Sequence, residues 1–196
     1  MKKNFRILKF KKDKPIFEVK DISKSFNGRS ILKKISLKVY PGELVSLFGP
    51  NGAGKSTLFN IAIGAESPDS GDILINKKSI TQIPIHLRAK EGLGYLPQSR
   101  SLFNLTTYEN LMGLIQFHIK DTKKQKDETE RLLEEFNLVH LRSLNASVLS
   151  GGEAKRLQLA RLMINKPKIV LLDEPLAALD PLVIQDIQRY ILKIQS

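Results

Sequence analysis

The chain contains no cysteine and no tryptophan, and only three histidines in 196 residues. Without cysteine there are no disulfides and no thiolate metal sites, a composition suited to a reducing compartment. His86, His118 and His140 lie in separate segments, and none forms the i, i+4 pair typical of zinc-binding helices. Surface placement accounts for them. No uncharged apolar run approaches the roughly 18–20 residues that a membrane-spanning helix needs. The first residues also lack the apolar core of a secretory signal.

Acidic residues are in short supply too. Twenty Asp and Glu stand against 32 Lys and Arg, a formal charge of +12. Such a balance favours an anionic partner, whether nucleic acid, anionic lipid or nucleotide, although a basic surface that only aids solubility has the same composition. Much of the excess sits in the first fourteen residues, MKKNFRILKFKKDK. A flexible basic tail over residues 1–15 is the simpler expectation. Phe5, Ile7, Leu8 and Phe10 leave contact with an anionic membrane surface open. The 41% hydrophobic content suffices for one generous domain, expected over 16–196.

Hydrophobic periodicity divides that domain. IFEVKDI and ILKKISLKVY predict strands, the second with Ile35, Leu37 and Val39 alternating against Ser36 and Lys38. Pro41-Gly42 predicts a turn. ELVSLF, nearly continuous in apolar residues, predicts a parallel strand buried on both faces. STLFNIAIGA predicts a helix, SPDSG a turn, DILI a strand, and GLGYLPQ a short strand ending in a loop. From Thr106 to Lys166 the spacing becomes helical, in TYENLMGLIQFHI, DETERLLEEFNL and GGEAKRLQLARLMIN. The polar KDTKKQKD separates the first two. IVLLDE returns to a buried strand and PLVIQDIQRYILKI to an amphipathic helix. The pattern predicts an α/β core with a helical subdomain at about 100–166.

Three motifs carry chemistry. In GPNGAGKST, Gly49, Gly54, Lys55 and Ser56 match G-x-x-x-x-G-K-[ST] between an apolar run and a helix. Glycines let successive backbone N–H groups converge on one anion, and the helix adds its positive end. Lys55 then reaches the outer phosphates, and the Ser56 hydroxyl can ligate Mg²⁺. IVLLDE delivers Asp173 and Glu174 at a strand end, Asp173 for Mg²⁺ and Glu174 as a general base toward water. LSGGE has two compatible readings. Ser150 and Glu153 form a capping box, and the exposed N–H groups of the same helix start make a second anion site.

GPNGAGKST, the glutamine of YLPQ, LSGGE, IVLLDE and LAALD, in this order, resemble the ATP-binding subunit of an ABC transporter. The resemblance runs from about Ile16 to the end. It implies a P-loop NTPase (RecA-like) core with an antiparallel β-subdomain and an inserted α-helical subdomain. It implies ATP and Mg²⁺ as ligands, a homodimer formed on ATP binding, and transmembrane permease subunits as partners, on the cytoplasmic face of an inner membrane. ATP would contact Gly49, Pro50, Asn51, Gly52, Ala53, Gly54, Lys55, Ser56 and Thr57 of one chain. Ser150, Gly151, Gly152 and Glu153 of the other chain would complete the site. Phe26 falls where an aromatic stacks on adenine, with an ordinary core role as the alternative. Gln98 falls where a glutamine senses Mg²⁺ and the attacking water, with Glu174 as base and Ser56, Gln98 and Asp173 around the metal. Ala177, Ala178, Leu179 and Asp180 match a loop at the dimer interface.

PIHLRAKEGLGYLPQSRSLFNLTTYENLMGLIQ, at 84–116, resembles the lipopolysaccharide-export branch of that family, and ATPases of branched-chain amino acid importers are similar in style. In ABC transporters this region also forms a groove for a permease helix. Leu102, Phe103, Leu105 and Tyr108 are its candidate lining, with packing inside the helical subdomain as the alternative. The family continues past its last helix into a strand ending in a histidine that contacts the γ-phosphate, and Ser196 precedes any such residue. A truncated product or a natural short form are the two expectations, and ATP binding is better supported than turnover. The competing class is a permease-free ABC ATPase acting on nucleic acid, which the charge favours. The compact helical block and the absence of Cys disfavour it.

Overall fold

The computed structural model describes residues 14–50, 52–177 and 179–195. The basic tail up to Asp13, Asn51 of the phosphate loop and Ala178 of the interface loop lie outside the described residues. Strand β1 (Phe17–Phe26) turns through Asn27-Gly28 into β2 (Arg29–Val39), an Asn-Gly hairpin connection of the kind that matches strand twist. β3 (Ser70–Ile75) pairs with the other edge of β1, and β4 (Lys78–Ser79) completes an antiparallel sheet of order β2-β1-β3-β4. Alternation turns Phe17 and Val19 of β1 and Ile73 and Ile75 of β3 inward, and a register shift between Val19 and Ile22 brings Ile22 to the same face. Helix α1 (Lys55–Ile63) adds Leu58, Ile61, Ala62 and Ile63 to the same buried cluster.

After helix α2 (Ile85–Lys90) the chain enters β5 (Leu93–Leu96). This strand pairs in parallel with β6 (Ile169–Leu172), in register from Leu93↔Ile169 to Leu96↔Leu172. The crossover between the two is the helical block: α3 (Thr107–Ile115), α4 (Thr122–Glu135) and α5 (Gly151–Met163). Leu111, Ile115, Leu132, Leu133, Phe136 and Leu157 form its core. Helix α6 (Pro181–Gln195) follows β6 and packs on the block through Tyr190, whose ring stacks on Phe136 at 5.1 Å. Mixed parallel and antiparallel sheets with an inserted helical block agree with the fold class expected from sequence.

Two local expectations need correction. ELVSLF is not a buried strand: Glu43–Phe48 joins neither sheet, and Leu44, Val45, Leu47 and Phe48 are exposed, Phe48 at 93%. An apolar run becomes a strand only beside a neighbour that accepts its backbone hydrogen bonds. The parallel sheet of the described residues has two strands, and neither pairs with this run. The polar stretch read as a separator is in part helix, because α4 begins at Thr122 with Asp121 capping it through the Lys124 N–H. Its first turns face solvent and carry no apolar stripe. Finally, β4 and α2 are too short to leave a periodic signal.

Candidate nucleotide site

Gly54 occupies the N-cap of α1 with φ at 89°, and Gly52 has φ at 79°. Both values lie in the left-handed region that glycine enters freely. A carbon at the Cβ position of Gly54 would sit 2.8 Å from Leu32 Cδ2 and 3.0 Å from Ile31 Cγ2, so β2 closes the floor of the loop. The first turn of α1 contains no acidic residue, which leaves its positive end uncompensated. Lys55 Nζ donates to Gly49 O at 2.7 Å and Pro50 O at 2.9 Å, folding its charge over the loop. A cradle of backbone donors, a lysine and an open helix N-terminus together suit a polyphosphate.

The carboxylates arrive from the parallel strands. Asp173 N donates to Leu96 O at 3.0 Å, continuing the β5–β6 ladder by one bond. Tyr95 O–H donates to Asp173 Oδ2 at 3.4 Å, and the Tyr95 ring lies 6.5 Å from that of Phe59 on α1. Burial, and then the neighbouring Asp173 carboxylate, push the Tyr95 phenol up from its ordinary range, so it remains a donor. Glu174 sits at φ 46°, an uncommon conformation for a non-glycine residue. Gln98 Nε2 donates to its Oε2 at 2.7 Å. The Ser56 hydroxyl and Asp173 carboxylate are hard oxygen donors of the kind Mg²⁺ prefers. Among the described residues no group of three or more His, Cys, Asp or Glu could hold a metal unaided.

Ser150 caps α5. Its N–H donates to Glu153 Oε2 at 2.8 Å and the Glu153 N–H donates back to Ser150 Oγ at 3.4 Å, a capping box. The Ser150 hydroxyl, donating to Glu153 Oε2 at 2.8 Å, and then the Ser150 N–H hold the Glu153 carboxyl below its ordinary range. Ser150 and Gly151 are exposed, whereas a Cβ at Gly152 would lie 2.5 Å from Val183 Cγ1 of α6, so Gly152 also allows close packing. Leu179 approaches the same helix start, with its Cδ2 at 3.4 Å from a Cβ built on Gly151. Phe26 is 43% exposed, with Lys24 Nζ 5.0 Å over its ring. Phe103 and Leu105 are exposed. Leu102 and Tyr108 instead pack against the helical core, Tyr108 beneath the Arg142 guanidinium at 5.2 Å.

Sequence reasoning passed over Tyr95, Arg88 and Arg100. A tyrosine in a buried strand needs a partner for its hydroxyl, and that was the available signal for Tyr95. Arg88, 2% exposed, donates to the carbonyls of Ile61, Ala62, Thr81 and Ile83, fastening the C-terminal end of α1 to the turn before α2. Arg100 donates to the carbonyls of Leu149 and Ser150.

A phosphate loop, a strand-end carboxylate pair and a second glycine-marked helix start define an ATP-binding domain of the P-loop class. The model of the ABC transporter family matches residues 32–177, and the chain belongs to that family as an ATP-binding subunit, an ATPase domain of the type that drives transport. It is 43% identical over 176 residues to the lipopolysaccharide export system ATP-binding protein LptB of Escherichia coli (strain K12), covering 88% of this chain and 72% of LptB. The Haemophilus influenzae LptB is 41% identical over 183 residues, covering 92% and 76%. Among solved structures, the ATP-binding cassette MJ1267 of an ABC transporter superposes with a TM-score of 0.84 at 29% identity, over 93% of this chain and 78% of that one. CbiO1 from Clostridium perfringens, part of the transporter complex cbiONQ, gives 0.83 at 28%, over 93% and 74%. ATP-binding subunits of this family work with transmembrane partners. Among the described residues no helix is long and apolar enough to cross a membrane.

Proposed function

We propose that the chain is the ATPase of a lipopolysaccharide exporter, held at the cytoplasmic face of an inner membrane by permease subunits. The transported substrate is inferred from the two LptB relatives. The observation that carries the catalytic reading is the Gln98–Glu174 hydrogen bond at 2.7 Å, which joins residues from two strand ends at the carboxyl edge of the parallel sheet. Ligands of open α/β sheets bind at that edge.

The chemistry is positioning and charge neutralisation. Residues 49–57 and Lys55 bind the phosphates, and Phe26 offers an exposed ring face to adenine. Glu174 accepts the proton of the attacking water, and Gln98 orients both groups. Mg²⁺, held by Ser56 and Asp173, would supply charge neutralisation on the phosphates. Ser150, Gly151, Gly152 and Glu153 meet the ATP of a second copy, with Leu179 and Asp180 beside the shared interface. Phe103 and Leu105 pass the motion to the permease.

Glu174→Gln tests this reading. The variant should keep ATP binding, accumulate as an ATP-bound dimer and lose turnover, measured as phosphate release. Turnover equal to that of the parent protein would remove Glu174 from the role of base.

A further inference from the structure

We propose that Gln158 and Arg100 are positioning residues that fasten the loop after Gln98 to the helix that begins at Ser150. The two ATP-facing elements of one chain then move as one piece. The inference rests on the proposed reading that ATP is shared between two copies. It adds a physical link within each copy between the residue that senses its own ATP and the helix start that meets its partner's.

Residues 99–101 belong to no helix or strand, so their backbone groups depend on side chains or water. Helix α5 supplies the side chains. Gln158, 5% exposed, donates from Nε2 to Ser99 O at 3.1 Å and to Ser101 Oγ at 3.4 Å. Arg161 donates to Ser101 O, and its guanidinium covers the Phe103 ring at 4.5 Å. From the loop side, Arg100 donates to Leu149 O and, at 3.4 Å, to Ser150 O. The loop is therefore tied to α5 at its capping residue and again about two turns further along.

Gln158 is informative because of its company. It lies between Leu157, Leu159 and Ala160, all fully buried, where an apolar side chain would pack without needing any partner. A buried amide there is satisfied only while the loop keeps its place, since an unpaired buried polar group is costly. Upstream, Gln98 is bonded to Glu174. A displacement of Gln98 when nucleotide enters is thus carried through two residues to Arg100 and onto the backbone of Ser150. The warrant is a chain of direct contacts between two sites, not proximity alone.

The experiment uses the full chain with a fluorescent ATP analogue for affinity and sedimentation velocity for ATP-dependent dimerisation. Gln158→Leu and Arg100→Ala should bind the analogue within about twofold of the parent, because neither residue touches the phosphate loop. Gln158→Leu should raise the ATP concentration for half-dimerisation about tenfold, the worth of one net buried hydrogen bond. Arg100→Ala should shift it in the same direction, and Arg100→Lys should recover most of the loss. A merely structural role would lower analogue affinity and dimerisation together. Should Gln158→Leu fail to fold, the exposed Arg100→Ala still decides. Dimerisation of Arg100→Ala at the parent's ATP concentration overturns the inference. A parent protein that binds the analogue but stays monomeric overturns the shared-site reading beneath it.

Discussion

Gly52 and Gly54 allow two properties of the phosphate loop to be separated by one pair of substitutions. Both have φ in the left-handed region, at 79° and 89°, so alanine at either costs roughly 1–2 kcal/mol in backbone conformation alone. Their surroundings differ. A Cβ on Gly52 meets nothing within 4 Å, whereas one on Gly54 meets Leu32 Cδ2 at 2.8 Å, Ile31 Cγ2 at 3.0 Å and the Ile31 carbonyl oxygen at 3.3 Å. Leu32 is a buried core residue at 4% exposure, so its methyl group has little room to retreat. Overpacking of this kind adds about 1–3 kcal/mol.

Gly54→Ala should therefore be about 1–3 kcal/mol less stable than Gly52→Ala, itself roughly 1–2 kcal/mol below the parent. For a chain of this size the difference between the variants corresponds to about 2–12 °C in melting temperature. Thermal and urea unfolding followed by circular dichroism measure it, and analogue binding by each variant reports the loop. Both variants should bind more weakly, since each turns a loop amide away from the anion. Equal melting of the two would refute the claim that β2 forms a rigid floor under Gly54.

Other outcomes follow from single side chains. Arg88→Met removes the guanidinium that donates to the carbonyls of Thr81 and Ile83. It should cost about 2–4 kcal/mol in urea unfolding despite preserving bulk. Asn110 is fully buried, accepting from Phe103 N and donating to the carbonyls of Phe103, Leu105 and Thr106. Asn110→Ala should cost about 2–4 kcal/mol and speed hydrogen exchange across Phe103–Thr106, and an unchanged exchange pattern there would contradict it. Glu153 has its native carboxyl held low by the Ser150 bonds, so it binds a proton less readily folded than unfolded. Its contribution is present at neutral pH and is lost as pH falls through the ordinary carboxylate range toward the lowered native value. Glu153→Gln should flatten that part of the acid limb of the stability curve, by about 1 kcal/mol.

Legibility in the sequence tracked how local the cause was. The alternation in ILKKISLKVY, the cap at Ser150 and the glycines of the phosphate loop act within a few residues, and their consequences could be read directly. ELVSLF could not, because an apolar run specifies burial but not the strand that will cover it. Leu102 and Tyr108 behaved likewise: a hydrophobic residue beside a groove motif can line the groove or the core behind it. Here these two joined the core while Phe103 and Leu105 stayed outside. The first turns of α4 were misread for the opposite reason, as a solvated helix face has no apolar period to detect.

The site adds a stricter case. Gln98 and Glu174 were both singled out from sequence, yet their contact depends on a quantity no motif contains, the register of two parallel strands. Leu96 lies opposite Leu172, so two further residues along each strand brings the chain to Gln98 and to Glu174. A slip of one residue would turn the slipped strand's side chains to the opposite face. Leu93 and Leu96 of β5, or Ile169 of β6, would then lose their buried places in the two cores. Hydrophobic burial in the four-residue ladder therefore sets the geometry of the two polar groups beyond its end. Substitutions in β5 or β6 that weaken the register should loosen the Gln98–Glu174 pair without altering either residue.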